Sequence, residues 1–214
     1  MFVFKIYCVL LRIEFYKKNI EMNNRPYFQL TNEQLDKIGN TMVFLSKAIP
    51  NLSKTKVLKL LYVLDELAIS RNGVPFFNLQ YKVWKLGPIT ESIFIELSDK
   101  FSLSWLAQYI GTEIDNDSTY IYPKVDFCDD EFSDNDIELL EMVADKFKHT
   151  TAKELIDYTH RPNGLWHTTA KENGLLEYLE NGTINSTDIL IDMSSLVRHD
   201  ERKRSIYEHY IEEN

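Results

Sequence analysis

Residues 59–97 read KLLYVLDELAISRNGVPFFNLQYKVWKLGPITESIFIEL, and this stretch decides the fold. Apolar residues cover more than one face of its first half, which predicts a central helix from Lys54 to Ser70 that is contacted from several sides. From Pro75 to Leu86 apolar and polar residues alternate, as is typical of a β-strand. Gly87-Pro88 ends this alternation, and Pro88 is placed to be the first residue of a helix that runs to about Lys100.

Capping motifs and helical spacing predict further helices on both sides of this stretch. An amphipathic helix is expected over residues 32–47, and a last helix from about His199 to Ile211. Two extended segments joined by a turn-rich sequence predict a β-hairpin. Capping boxes start two more helices, at Ser133 with Asp136 and at Thr151 with Glu154. The predicted fold class is therefore mainly α with a small antiparallel β element (α+β), in a single compact helical domain.

Composition narrows the range of partners. The chain has 214 residues, is 44% hydrophobic, and carries a formal charge of −9. Disorder of the bulk of the chain is excluded by this apolar content, and the acidic balance argues against a nucleic-acid partner. A basic protein partner would be attracted instead. Because Cys8 and Cys128 lie in no motif and no long apolar run is present, we expect reduced thiols, a cytoplasmic location and no membrane contact.

The first 21 residues, MFVFKIYCVLLRIEFYKKNIE, leave two interpretations open. The apolar run from Ile6 to Leu11 is too short and too interrupted by charges for a signal peptide. The segment is either a mis-called start, with the functional protein beginning at Met22, or an N-terminal extension that forms a small docking strand or helix. Both interpretations predict that residues 22–214 form a single domain.

The sequence contains no phosphate-binding loop, no dinucleotide fingerprint and no zinc-ligand spacing. We therefore expect no catalytic residue, no cofactor and no metal. Asp65 stands out, because helical spacing places it on an apolar flank, away from a side bearing Lys59 and Glu66 that we expect to be solvated. A buried carboxylate needs a donor, so Asp65 should bind nearby backbone or the Trp84 indole N–H, with a recognition role as the alternative.

Histidines, tryptophans and charge clusters receive structural interpretations first. His160 and His167 are separated by Pro162 and Gly164, so we expect their rings to bind loop backbone rather than a metal. The three tryptophans are expected in the core, although their polar N–H groups also suit an interface edge. Six acidic residues lie between residues 126 and 136, and a helix start accounts for about half of them because acids there favourably meet the positive end of the helix dipole. The other acids of this cluster could dock a basic partner. A basic strip is interpreted as a solvated helix face: Lys47, Lys54, Lys56 and Lys59.

The stretch resembles the core of the Panacea domain, the SocA-like antitoxin family also found as phage-associated proteins. The family pattern is a K-L-L-Y-x-x-D helix, an exposed turn and a strand ending in W-x-x-G-P. A second patch at 155–174, LIDYTHRPNGLWHTTAKENG, resembles the closing helix-loop-helix of the family. The resemblance covers about residues 53–174, and Leu64 departs from the small residue that many relatives carry before the Asp. Besides Leu60 and Leu61, the matching residues are Lys59, Tyr62, Asp65, Trp84, Gly87, Pro88, His160 and Trp166.

The resemblance implies an antitoxin of a toxin–antitoxin system that neutralises a cognate protein toxin, encoded nearby, by direct binding. It also implies, in one branch, an adaptor that delivers the toxin to a protease complex. Two alternatives stay open. One is a hydrolase or nucleotide-handling enzyme built on Asp65, His160 and Tyr62, which would require these groups to converge. The other is a regulator of its own operon.

Overall fold

The helix predicted at the centre, α2, spans Lys54–Asn72 in a computed structural model that describes residues 30–98 and 104–213. Thirteen of its 19 residues are buried, which explains why no single face is apolar. The Ser53 side chain accepts a hydrogen bond from the Lys56 N–H and caps its start. Gly73, at φ 77°, ends it by donating its N–H to the Ile69 carbonyl.

The described residues form seven further helices. They are α1 (Asn32–Ala48), α3 (Glu91–Glu96), α4 (Asp134–Phe147), α5 (Ala152–Thr159), α6 (Leu165–Glu172), α7 (Leu176–Glu180) and α8 (Glu201–Glu213), with 3₁₀ turns at Trp105–Gln108 and Met193–Val197. Among these elements, α4, α5 and α8 each contact α2 directly. None of the helices between residues 30 and 213, leaving out 99–103, combines the length and apolar character needed to span a membrane.

Two small antiparallel sheets complete the described structure. Strand β1 (Lys82–Trp84) pairs with β2 (Gly87–Ile89), with Val83 opposite Pro88. Strand β3 (Ile110–Asp115) pairs with β4 (Ser118–Pro123) through a turn at residues 116–117. The predicted fold class, mainly α with a small antiparallel β element, is confirmed.

Two predictions about the central stretch are wrong. The strand expected from Pro75 to Leu86 is confined to β1, because residues 76–81 are not paired as a strand and Asn78 adopts a positive φ of 60°. The N–H groups of residues 77–79 donate to a carboxylate from α2 and not to a partner strand. Pro88 does not begin a helix. It lies in β2, and α3 begins at Glu91 and ends at Glu96 rather than near Lys100.

Helix ends that depend on local capping are predicted well. Both capping boxes are present: Ser133 with Asp136 starts α4, and Thr151 with Glu154 starts α5. Helix α1 ends one residue later than expected, whereas α8 is displaced by two residues at each end. Helix α7 and the turn at Met193–Val197 carry no strong local signal and were not predicted. Both interpretations of residues 1–21, and the domain start at residue 22, lie outside the described residues.

Candidate functional site

Asp65 is fully buried and organises the chain that follows α2. Its Oδ1 accepts the N–H of Phe77 at 2.7 Å and of Asn78 at 3.4 Å. Its Oδ2 accepts the N–H of Leu79 at 3.3 Å and the Tyr81 hydroxyl at 2.7 Å. Burial raises the pKa of Asp65, and these four hydrogen bonds oppose the rise because they favour the carboxylate. The carboxylate therefore fixes an irregular segment that leads directly into β1.

A partly buried ion pair ties α2 to the loop after α5. Glu66 has a side chain only 3% exposed, and its Oε2 lies 2.8 Å from Arg161 Nη2. The Tyr62 hydroxyl donates to Glu66 Oε1 at 2.7 Å, so the carboxylate has a second partner. The Arg161 guanidinium also lies over the Tyr158 ring, 4.6 Å from its centroid. Tyr62 and Glu66 thus hold the helix-loop-helix patch against the central helix.

Lys59 is buried beneath the turn between β1 and β2. Its Nζ donates to the Pro88 carbonyl at 2.7 Å, and burial lowers the pKa of Lys59 to about 7. Gly87 has a φ of 97°, and a Cβ at this position would lie 2.7 Å from Thr159 Oγ1. The Gly-Pro pair therefore allows this turn to approach both Lys59 and the end of α5 closely.

The tryptophans connect the same turn to α6. Trp166 is buried, and its indole N–H donates to the Trp84 carbonyl at 2.9 Å. The His160 ring stacks on Trp166 with centroids 3.7 Å apart. Burial and the neighbouring Lys59 lower the pKa of His160 to about 4, and its Nε2 is buried without a hydrogen-bond partner in the described structure. His160 is therefore a neutral packing partner of Trp166.

A cleft of about 640 Å³ opens beside this turn. Trp84 is half-buried on its wall, with its ring 5.2 Å from Phe94 in an edge contact. Residues from the start of α2, from the β1–β2 turn and from the β3–β4 turn enclose it. Its lining residues include Lys54, Lys59, Trp84, Lys85, Leu86 and Asp117.

Several expectations about individual side chains need correction. Lys59 and Glu66 do not form a solvated side of α2, because both are buried and each has a partner from a distant element. Lys56 is buried as well, so the predicted basic strip is not a solvated face. Asp65 binds backbone, as one prediction held, but the Trp84 indole N–H donates to the Thr187 carbonyl instead.

The eight motif residues do not form one group. Lys59, Trp84, Gly87, Pro88, His160 and Trp166 gather around the β1–β2 turn, which we call the corner. Asp65 and Tyr62 both belong to α2, and their hydrogen bonds involve none of the other six motif residues. The described residues bring together no group of three or more His, Cys, Asp or Glu side chains that could hold a metal ion.

Sequence reasoning missed the residues that line the cleft outside the motif. Lys85 and Leu86 stand inside W-x-x-G-P and could have been noticed there as a cation next to an exposed apolar side chain. Asp117 belongs to the β3–β4 turn, more than 30 residues away. No local signal places that turn beside the corner.

These contacts define a class of mainly helical domain in which one buried helix supports a strand-turn corner beside a cleft. The chain belongs to the family described as antitoxin SocA-like, Panacea domain. The family model matches residues 57–167, just over half of the chain, and this range includes all eight motif residues. Comparison with curated proteins and with solved structures gave no significant match.

Proposed function

We propose that this protein is the antitoxin of a toxin–antitoxin system, and that it neutralises a cognate protein toxin in the cytoplasm by direct binding. The observation that carries the proposal is the family match over residues 57–167, since it covers the whole corner. The formal charge of −9 supports a protein partner of basic character, because long-range attraction speeds association. The proposed mechanism requires no catalytic residue, cofactor or metal.

The toxin is neutralised by steric occlusion of its working surface. Asp65 and Trp166 are buried and cannot touch a partner, so their role is to order the corner. Trp84 is half-buried and Leu86 is 55% exposed, which places both where a partner can reach them. A stable interface buries at least about 1,000 Å² in total, and a few aromatic or apolar anchors dominate its energy. Trp84 and Leu86 are the proposed anchors.

Co-expression tests this proposal. Each flanking gene product is expressed alone and together with this chain, and growth rescue and co-purification are scored. We expect one product to arrest growth alone and to form a stable complex in which growth is restored. Absence of rescue and of complex with every flanking product, while the chain is folded, would overturn the proposal.

A proteolytic-adaptor role is a separate refinement of the same proposal. Occlusion alone leaves the amount of toxin unchanged, whereas delivery to a protease shortens the half-life of the toxin. The half-life of the tagged toxin, followed after synthesis is stopped with and without this chain, distinguishes the two. An unchanged half-life together with rescue assigns neutralisation to occlusion.

A further inference from the structure

The cleft beside the corner differs in charge from the chain as a whole. Lys54 and Lys85 line it against one carboxylate, Asp117, and a third lysine, Lys59, is buried there with its pKa lowered to about 7, so that it carries only part of a positive charge at neutral pH. The start of α2 also borders it, and the positive end of a 19-residue helix adds to the local field. In a protein with a formal charge of −9, this is a local positive site that suits an anionic group.

The cleft is also lined by apolar side chains. They are Leu58, Ile89 and Phe94, the half-buried Trp84 and the exposed Leu86. A volume of about 640 Å³ is typical of pockets that enclose a small ligand or a few side chains. The complementary occupant therefore carries a negative charge next to apolar surface.

From this complementarity we infer that the cleft binds a protein segment in which a carboxylate side chain stands next to an apolar one. The inference rests on the proposed function, under which the segment belongs to the toxin. Lys85 pairs with the carboxylate, and Leu86 and Trp84 hold the apolar side chain.

The charges that line the cleft favour a carboxylate over a phosphate group. Lys59 already donates to the Pro88 carbonyl, and Lys54 donates to Ser98 Oγ at 2.6 Å while lying over the Phe94 ring. Asp117, on the turn of the β3–β4 hairpin, would repel the second negative charge that a phosphate group carries. Gly87 is the one glycine among the lining residues, so the cleft has no glycine-rich loop to cradle a phosphate.

Lys85 is the residue to test, because it lines the cleft, is half-buried and takes part in none of the ion pairs among the described residues. Its Nζ lies beside Gly182, where a Cβ would approach it to 2.7 Å. Lys171, exposed on α6, provides a matched control. Binding to the full ¹⁵N-labelled chain is followed by NMR, with the Trp84 indole N–H as the reporter. The probes are acetyl-Leu-Glu-Leu-amide, its Gln counterpart, and AMP.

We expect the Glu peptide to shift the Trp84 indole resonance saturably and the Gln peptide to bind about tenfold more weakly, as for the loss of one charge-assisted hydrogen bond. Lys85→Gln should abolish the difference between the two peptides, and Lys171→Gln should preserve it. Equal binding of both peptides, no shift with either, or tighter binding of AMP would each overturn the inference.

A substitution of Lys85 in the rescue assay tests this inference independently of the proposed function. In the rescue assay, Lys85→Glu should lose the toxin complex and Lys171→Glu should keep it, and an acid-to-lysine change in the toxin should restore binding to Lys85→Glu. If Lys85→Glu neutralises the toxin as well as the wild type, the cleft is not the contact and the antitoxin proposal stands. If no toxin is neutralised but the Glu peptide binds as expected, the antitoxin proposal fails and the cleft site stands.

Discussion

Replacing Asp65 tests whether one carboxylate orders the corner. In Asp65→Ala the buried N–H groups of Phe77 and Leu79 lose their acceptor, whereas the Tyr81 hydroxyl keeps the Leu61 carbonyl at 3.1 Å. An unsatisfied buried N–H costs about 1–3 kcal/mol, so two of them predict a loss of about 4 kcal/mol in the free energy of unfolding. In Asp65→Asn one oxygen can still serve Phe77, which predicts a loss of about 2 kcal/mol.

Urea unfolding followed by circular dichroism measures these losses. Asp145, exposed on α4, supplies the matched control, since its Ala and Asn variants should stay within about 0.5 kcal/mol of the wild type. Hydrogen exchange at residues 77 and 79 adds a local measurement, because both amides should lose protection in Asp65→Ala. If the free energy of unfolding of Asp65→Ala is less than about 1 kcal/mol below that of the wild type, or if the two amides stay protected from exchange, the reasoning is refuted.

The pH dependence of the same variants has a defined sign. Burial raises the pKa of Asp65 above 3.8, so the folded protein binds this proton more tightly than the unfolded chain. The stability that Asp65 contributes is therefore fully present below the pKa that it has in the unfolded chain, and it is lost as the pH rises through its pKa in the folded protein. We expect the wild type to lose stability relative to Asp65→Asn as pH increases through this window. A constant difference between the two would contradict the assignment.

Three further predictions concern buried contacts of α2 and of the β1–β2 turn. The pKa of Lys59 is lowered to about 7, so the unfolded chain binds more protons than the folded protein between about pH 7 and pH 10. The free energy of unfolding should therefore increase over this range by up to about 1.4 kcal/mol per pH unit, and Lys59→Met should remove this slope in urea unfolding. Arg161→Ala leaves the buried Glu66 carboxylate without its cation and should cost about 3 kcal/mol by the same measurement. Gly87→Ala combines a positive φ with a close approach to Thr159 and should lower the free energy of unfolding by at least about 2 kcal/mol.

Control variants distinguish the loss of these buried contacts from the effect that a substitution has wherever it is made. Lys153→Ala removes an exposed pair with Asp157 on α5 and should change stability by less than about 0.5 kcal/mol. Gly174→Ala tests positive φ alone, because a Cβ there would meet no atom within 4 Å. A cost for Gly87→Ala no larger than for Gly174→Ala would contradict the role assigned to Thr159, and a pH slope retained in Lys59→Met would contradict the assignment to Lys59.

The sequence predicted the features whose causes are local. The start of α2 at Lys54, and the capping boxes that start α4 and α5, depend on side chains within three residues of the backbone groups they bind. The motif residues were identified through the resemblance to the family, and three of them lie in the contiguous pattern W-x-x-G-P. The strand predicted from Pro75 to Leu86 was wrong for a related reason. Its alternation reports burial, and burial does not require a sheet partner when a carboxylate satisfies the backbone.

Only the tertiary structure decided which charges are inside. Helical spacing places Lys59 and Glu66 away from the apolar flank that holds Asp65, yet both are buried because the acceptor of one lies 29 residues away and the cation of the other 95 residues away. The cleft depends in the same way on a hairpin turn distant in sequence. Periodicity along one helix shows which residues share a face. Whether that face meets water or a partner from another element is decided by packing between elements distant in the chain.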